Sequence, residues 1–168
     1  MGFHYEFRSL ESERDAKNMI SWMRQRPLDY KNFNDWVDKI EHEIFSGYKQ
    51  AILGFCRENN QPQLVSYLLF QQHKQLPFLE FKSLRVDEKV QDQYFGSFSL
   101  RQGEVEAKKR KLNGIICDVR ENRANVIGML LRNGFSPIAT TSLYESAKKD
   151  IIMLKDFRNP RDILKKVV

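Results

Sequence analysis

The chain has 168 residues, of which 41% are hydrophobic and 30% charged, a balance typical of a soluble globular protein rather than a disordered chain. A chain of this length predicts one domain spanning residues 1–168. The sequence has no run of about 18 apolar residues, so no membrane-spanning helix is expected. The N-terminus becomes polar and acidic too early for a secretory signal, which makes the cytoplasm the expected compartment.

A formal charge of +6 and a pI near 9.3 favour an anionic partner, which could be a nucleotide-bearing cofactor, an acidic substrate or a nucleic acid. Two cysteines, Cys56 and Cys117, lie in separate apolar runs without a CxxC spacing or clustered histidines. This pattern excludes a disulfide framework and a zinc site, so no metal is expected. Both thiols are expected to be buried and reduced.

The N-terminal half predicts a strand, two helices and a hairpin. The first strand is His4–Leu10, where polar and apolar residues alternate. Ser12 can cap a helix that runs to about Arg26, and Asn32 or Asn34 opens a second helix that Gly47 stops. Two strands then follow across a turn-rich ENNQ segment and form an antiparallel hairpin: Tyr48–Glu58 and Pro62–Gln72.

The C-terminal half alternates strands and helices before it ends in two more strands. The predicted elements are strand Leu79–Val86, helix Gly96–Lys111, strand Gly114–Val119, helix Glu121–Phe135, and strands Pro137–Ser146 and Lys149–Phe157. The tail 158–168 is predicted to form a short helix or an arm. Asn122 can cap the helix that precedes Phe135, and Gly134 with Phe135 can close it.

This order predicts an α/β (α+β) fold. Its sheet is mixed but mostly antiparallel, has seven strands and is flanked by about four helices. The region from Phe78 to Phe135 supplies a right-handed strand–helix–strand–helix unit, which holds the parallel crossover.

Two features of that unit point to chemistry. The segment Gln93–Phe98 begins with Gln-x-x-Gly and opens a helix, where unpaired N–H groups and the helix dipole favour phosphates. The strand Leu79–Val86 should be central and apolar, yet Glu80 and Lys82 share one of its faces. A strand glutamate can also be an ordinary pair partner of a neighbouring lysine.

The element order resembles the GNAT superfamily of acetyl-CoA-dependent N-acetyltransferases. The likeness is carried by Leu84-Arg85-Val86, by the Gln-x-x-Gly turn at Gln93, and by Asn122 followed by Gly134-Phe135. The chain departs from the family at Phe98, where glycine or alanine is preferred, and at Leu130, where a tyrosine usually serves as the general acid.

The resemblance implies acetyl-CoA as co-substrate, an amine-bearing acceptor, Glu80 as general base, and a homodimer as a common assembly. Tyr144 and Tyr94 are the candidates for the missing acid. It also implies a set of acetyl-CoA-contacting residues: Leu84, Arg85, Val86, Gln91, Gln93, Gly96, Ser97, Phe98, Asn122 and Asn125.

Two other functions stay open at this stage. The altered turn and the missing tyrosine are consistent with a non-catalytic GNAT-fold module that senses acyl-CoA or binds a partner. The charge of +6 is consistent with a toxin-like acetyltransferase that acts on aminoacyl-tRNA, although nucleic acid is the less favoured partner.

Overall fold

The computed structural model describes residues 5–28, 31–58 and 61–158. Its seven strands are β1 (Tyr5–Ser9), β2 (Gln50–Glu58), β3 (Gln61–Gln72), β4 (Phe78–Val86), β5 (Gly114–Arg120), β6 (Ser136–Thr141) and β7 (Asp150–Asp156). Its four α-helices are α1 (Glu13–Arg24), α2 (Phe33–Phe45), α3 (Phe95–Lys109) and α4 (Ala124–Arg132), and a short 3₁₀ turn covers Glu88–Val90.

The strands form one sheet in the order β1-β2-β3-β4-β5-β7-β6. The β4–β5 pair is parallel, whereas β1–β2, β2–β3, β5–β7 and β6–β7 are antiparallel. The predicted fold class and element order are therefore confirmed. The predicted strand residue His4 and the tail residues 159–168 lie outside the described part of the chain.

The chain divides into two compact units, one made of Met1–Gln71 with Ser83–Ser99 and the other of Gln72–Lys82 with Leu100–Val168. The expectation of a single domain over residues 1–168 stays a prediction. None of the helices in the described ranges is long and apolar enough to span a membrane. Those ranges also contain no group of three or more His, Cys, Asp or Glu residues placed to hold a metal ion.

In the first unit, α1 and α2 pack their apolar stripes on β2 and β3. Ser12 caps α1 as predicted, since its Oγ accepts a hydrogen bond of 3.1 Å from the Asp15 N–H. The core of this unit is aliphatic and aromatic, with Met19, Met23, Val37, Leu53 and Tyr67 all fully buried.

A second, smaller cluster in the same unit fixes where α3 begins. Phe95, the first residue of α3, packs with Val65 and Val90, and Val86 lies partly buried against them. The Phe95 ring also lies 4.7 Å from the ring of Tyr5, in an edge-on arrangement. Apolar burial therefore holds the N-terminal end of α3 beside the end of β4.

In the second unit, α4 ends as the sequence predicts. Gly134 has a φ of +86°, and its N–H bonds to the Leu131 carbonyl, while the Phe135 N–H bonds to the Leu130 carbonyl. These two bonds define a Schellman motif. Phe135 is buried, with its ring 6.3 Å from that of Phe81, so the helix end is tied to β4.

Three expectations about local structure are wrong. Arg123, not Asn122, is the N-cap residue of α4, and no side-chain cap bond forms there. Strand β6 ends at Thr141 rather than Ser146, which places Tyr144 in the β6–β7 loop. Gly96 is not the turn residue, because it is the second residue of α3.

Candidate active site

Glu80 and Lys82 lie next to each other on one face of β4, as strand alternation predicts. The Lys82 Nζ donates a hydrogen bond of 3.0 Å to Glu80 Oε1. Both side chains are largely buried, at 21% exposure for Glu80 and 26% for Lys82. The β4 face therefore carries a glutamate paired with a cation in a partly water-excluded setting.

Asp118 on β5 belongs to the same face, and the sequence analysis missed it. Glu80 pairs with Ile116 in the parallel ladder, so Ile116 and Asp118 project to the side of Glu80 and Lys82. The available signal was an aspartate inside the apolar run Gly114–Val119, which we had interpreted only as a buried strand.

Burial raises the pKa of the Asp118 carboxyl above its ordinary value, and the charges of Asp150 and Glu80 raise it further. The positive charge of Lys82 and the nearby Tyr144 hydroxyl act in the opposite direction without cancelling the rise. A carboxylate with a raised pKa is a stronger base than an ordinary aspartate.

Tyr144 approaches Asp118 from the β6–β7 loop, close enough for each group to shift the pKa of the other. Although 62% of the residue's surface is exposed, the burial of its hydroxyl and then the charge of Asp118 raise the pKa of Tyr144. Because its pKa is raised, the Tyr144 hydroxyl keeps its proton at neutral pH, which suits a hydrogen-bond donor better than a general acid. It works against the general-acid role, which stays a prediction.

The loop that carries Tyr144 is held from β5 and β7. Asp150 is 1% exposed, and its Oδ2 accepts a hydrogen bond of 3.1 Å from the Leu143 N–H. Its Oδ1 lies 2.9 Å from Arg120 Nε, and Arg120 Nη1 lies 3.6 Å from Glu145 Oε1. These contacts bring the predicted residues Glu80 and Tyr144 together around Asp118, which sequence reasoning did not single out.

The end of β4 in the first unit carries three of the predicted acetyl-CoA contacts. Of these, Leu84 is half-buried in β4, and Val86 packs in the small cluster that contains Phe95. Arg85 donates to the Arg26 carbonyl at 2.7 Å, and its guanidinium lies 5.3 Å from the centre of the Trp22 ring. The Arg85 side chain thus has a structural role, which leaves the main chain of this segment as the feature relevant to binding.

The turn that leads from β4 into α3 is built differently from the predicted glycine turn. Asp92 and Tyr94 both adopt the left-handed conformation, with φ of 65° and 64°. Gln91 Nε2 donates to the Val86 carbonyl at 3.4 Å, and Gln93 Oε1 accepts from the Tyr5 hydroxyl at 3.0 Å. Side-chain bonds therefore hold a turn in which two non-glycine residues take a costly conformation.

The first turn of α3 has the properties that a phosphate group needs. The Phe98 N–H bonds to the Tyr94 carbonyl at 2.9 Å, so the N–H groups of Phe95, Gly96 and Ser97 precede the first intrahelical bond. Within the described residues, the buried Ser99 Oγ has no hydrogen-bond partner. The N–H groups of Phe95 and Gly96 and the helix dipole thus lie at one helix end, which fits a pyrophosphate.

Asn122 and Asn125 are exposed at the start of α4. Since Asn122 does not cap the helix, its side chain has no assigned structural role at that helix end. Their predicted contact with the cofactor stays a prediction.

Comparison with solved structures identifies the architecture. A candidate GNAT-family acetyltransferase from Desulfovibrio desulfuricans superposes with a TM-score of 0.75 at 14% identity, covering 91% of this chain and 99% of the other. The chain has the GNAT fold. The ribosomal-protein-S18-alanine N-acetyltransferase from Escherichia coli matches with a TM-score of 0.69 at 19% identity, over 91% and 94% of the two chains.

A third matching structure contains acetyl coenzyme A. A candidate streptothricin acetyltransferase from Bacillus anthracis, solved with acetyl coenzyme A, gives a TM-score of 0.59 at 16% identity over 67% of this chain and 68% of the other. No protein-family model and no curated protein matches the sequence. At these identities the likeness shows the fold, and the suspected resemblance to the GNAT superfamily is confirmed at that level.

Proposed function

We propose that the protein is an N-acetyltransferase that moves acetyl from acetyl-CoA to a primary amine. The observation that carries the proposal is the partly buried carboxylate pair Glu80 and Asp118 on adjacent strands of a GNAT fold. An amine is protonated at neutral pH and must lose a proton before it can attack a thioester, and a carboxylate with a raised pKa suits that step.

Two segments of the first unit, the end of β4 and the first turn of α3, are assigned to acetyl-CoA. The N-terminal turn of α3, which carries Gly96, Ser97 and Phe98, would receive the pyrophosphate through the N–H groups of Phe95 and Gly96. The main chain of Leu84 and Val86 would pair with the pantetheine amides, in the manner of a peptide added to a strand edge. Contacts of Asn122 and Asn125 with acetyl-CoA stay a prediction.

Binding is tested by calorimetry with acetyl-CoA. We expect saturable binding by the wild type and at least tenfold weaker binding by Ser97→Glu, because a carboxylate at this helix end repels the pyrophosphate. The fold should survive, since a negative charge near a helix N-terminus is stabilising. The matched control is Gln102→Glu, which adds the same charge at an exposed position farther along α3.

Turnover is tested by release of the coenzyme A thiol across a panel of primary amines: spermidine, free lysine and tetrapeptides with free N-termini. Thiol release that depends on the amine supports the proposal. No binding at millimolar acetyl-CoA would overturn it. Binding without thiol release would favour the acyl-CoA-sensing module, for which the buried Leu130 at the usual tyrosine position is the supporting observation.

A further inference from the structure

We infer that Asp118, rather than Glu80, accepts the proton from the acceptor amine, an inference that rests on the proposed acetyl transfer. Asp118 lies on the β5 face that continues the face of Glu80 and Lys82. It is half-buried, and the Tyr144 hydroxyl on the β6–β7 loop approaches its carboxylate. Its position on β5 distinguishes this assignment from the β4 glutamate that the sequence predicts.

The partners of the two carboxylates separate their roles. The Glu80 carboxylate is bound at 3.0 Å by the Lys82 ammonium, a cation that would compete with an incoming protonated amine. Among the described residues, no ammonium or guanidinium group lies within ion-pair distance of the Asp118 carboxylate, and the Lys82 charge acts on it only from farther away. An amine proton is therefore attracted more strongly to Asp118.

Charged and titratable groups face Asp118 from each neighbouring element. Lys82 and Glu80 approach from β4, Asp150 from β7 and Tyr144 from the β6–β7 loop. Two of the four, Glu80 and Asp150, are carboxylates, so proton uptake by Asp118 relieves repulsion within the cluster. The raised pKa of Asp118 agrees with this balance.

Tyr144 acts as a positioning residue in this arrangement. Its hydroxyl lies near the Asp118 carboxylate and favours the ionised form of that group, and the loop that carries it is fixed because Asp150 accepts from the Leu143 N–H at 3.1 Å. Arg120 in turn holds Asp150 at 2.9 Å. A chain of contacts thus runs from β5 through β7 and the loop back to the reacting carboxylate.

The proposed acetyl transfer begins with the loss of a proton from the acceptor ammonium group. Asp118 takes one proton from the ammonium group, and the freed nitrogen lone pair forms a bond to the acetyl carbonyl carbon. The carbon–sulfur bond breaks with its electron pair on sulfur, and the second amine proton neutralises the thiolate as the amide forms. Because the coenzyme A thiol has a pKa near 8.5, its thiolate can leave without a dedicated acid. Asp118 then releases its proton to solvent.

The test is the pH dependence of kcat/KM for thiol release with an amine that the wild type acetylates. Asp118→Asn should lower kcat/KM by about 10²- to 10⁴-fold and abolish the acidic limb of the profile. Tyr144→Phe removes a hydroxyl that favours the ionised carboxylate, so the acidic limb should move to higher pH. Glu80→Gln removes a neighbouring negative charge, so the limb should move to lower pH.

Acetyl-CoA affinity, measured by calorimetry, should stay within about twofold in all three variants, because none alters the α3 turn. Glu11→Gln, an exposed carboxylate in the β1–α1 connection, is the matched control and should leave the profile unchanged. Thermal melting of Asp118→Asn shows whether the variant is folded.

The possible failures are distinguishable. If Asp118→Asn is folded and retains activity within threefold while Glu80→Gln loses the acidic limb, Glu80 is the base and the inference is overturned. If the wild type binds acetyl-CoA but acetylates no amine of the panel, both the inference and the proposed function are wrong.

Discussion

Asp150 Oδ2 accepts a hydrogen bond of 3.1 Å from the backbone N–H of Leu143, and this contact fixes the loop that presents Tyr144. The other oxygen of the same carboxylate lies 2.9 Å from Arg120 Nε, so one buried aspartate connects β5, β7 and the loop. Asp150 is 1% exposed, and a carboxylate buried to this extent costs stability unless hydrogen bonds and ion pairs replace its contacts with water.

Asp150→Ala is therefore expected to lower the free energy of unfolding by about 3 kcal/mol, because it removes the buried partner of the half-buried Arg120 and leaves only the more exposed Glu145 at 3.6 Å. Asp150→Asn should lose less, since its amide oxygen can still accept from the Leu143 N–H. Urea unfolding of both variants checks the order. Equal stability of wild type and Asp150→Ala would show that the loop is held by other contacts.

The stability of the protein should respond in opposite directions to alanine at Gly128, inside α4, and at Gly134, just after it. Gly134 has a φ of +86°, where a side chain is strained, so Gly134→Ala should cost about 1–2 kcal/mol. Gly128 lies inside the helix, and an added Cβ there meets only the Arg132 guanidinium end at 3.3 Å. Gly128→Ala should stabilise by up to about 1 kcal/mol, because alanine is the better helix former.

Thermal melting of the two single variants gives the comparison, with each serving as the control for the other. A Gly134→Ala variant that melts at or above the wild-type temperature would contradict the strain argument.

The stability of Asp118→Asn should depend on pH in a defined direction. The pKa of Asp118 is raised in the folded protein, so its contribution to stability is present below its unfolded pKa of about 3.9 and is lost as pH rises through the folded value. Asp118→Asn should therefore be more stable than the wild type at pH 7, and the difference should shrink towards pH 3.

Melting temperatures between pH 3 and pH 8 measure this effect without any substrate, so they are independent of catalysis. A destabilised Asp118→Asn at pH 7 would indicate that the carboxylate is a net stabilising group.

The Cys117 thiol should be unreactive towards thiol reagents in the folded protein. Burial, together with the nearby Asp118 charge, raises the pKa of the thiol to about 12. At pH 8 only about one thiol in 10,000 would then be ionised. In a Cys56→Ser variant, Ellman's reagent should detect no thiol until guanidinium is added, and rapid native labelling would contradict the assigned burial.

The helices and strands were predictable because their signals are local. Ser12 caps α1 with its own hydroxyl, and Gly134 closes α4 by taking a conformation that other residues avoid. The alternation of β4 likewise placed Glu80 and Lys82 on one face. Each of these outcomes depends on residues within a few positions of each other, which the sequence states directly.

The misplaced residues depend on distant contacts. Tyr144 extends a strand-like pattern, but β6 stops at Thr141, and the following Leu143 is captured by Asp150, seven residues farther along the chain. Asn122 is a residue type that often caps helices, yet α4 begins two residues later, after Arg123. Local preference competes there with tertiary contacts, and the tertiary contacts win.

The sequence by itself determined the order of elements and the presence of a glutamate in a central strand, because periodicity and capping act over short separations. Only the tertiary structure decided which groups surround that glutamate. The parallel register sets Ile116 beside Glu80 and so brings Asp118 to the same face, while Tyr144 arrives from a loop near the end of the chain. Strand register is a long-range property, and it is what turned an aspartate in an apolar run into the proposed base.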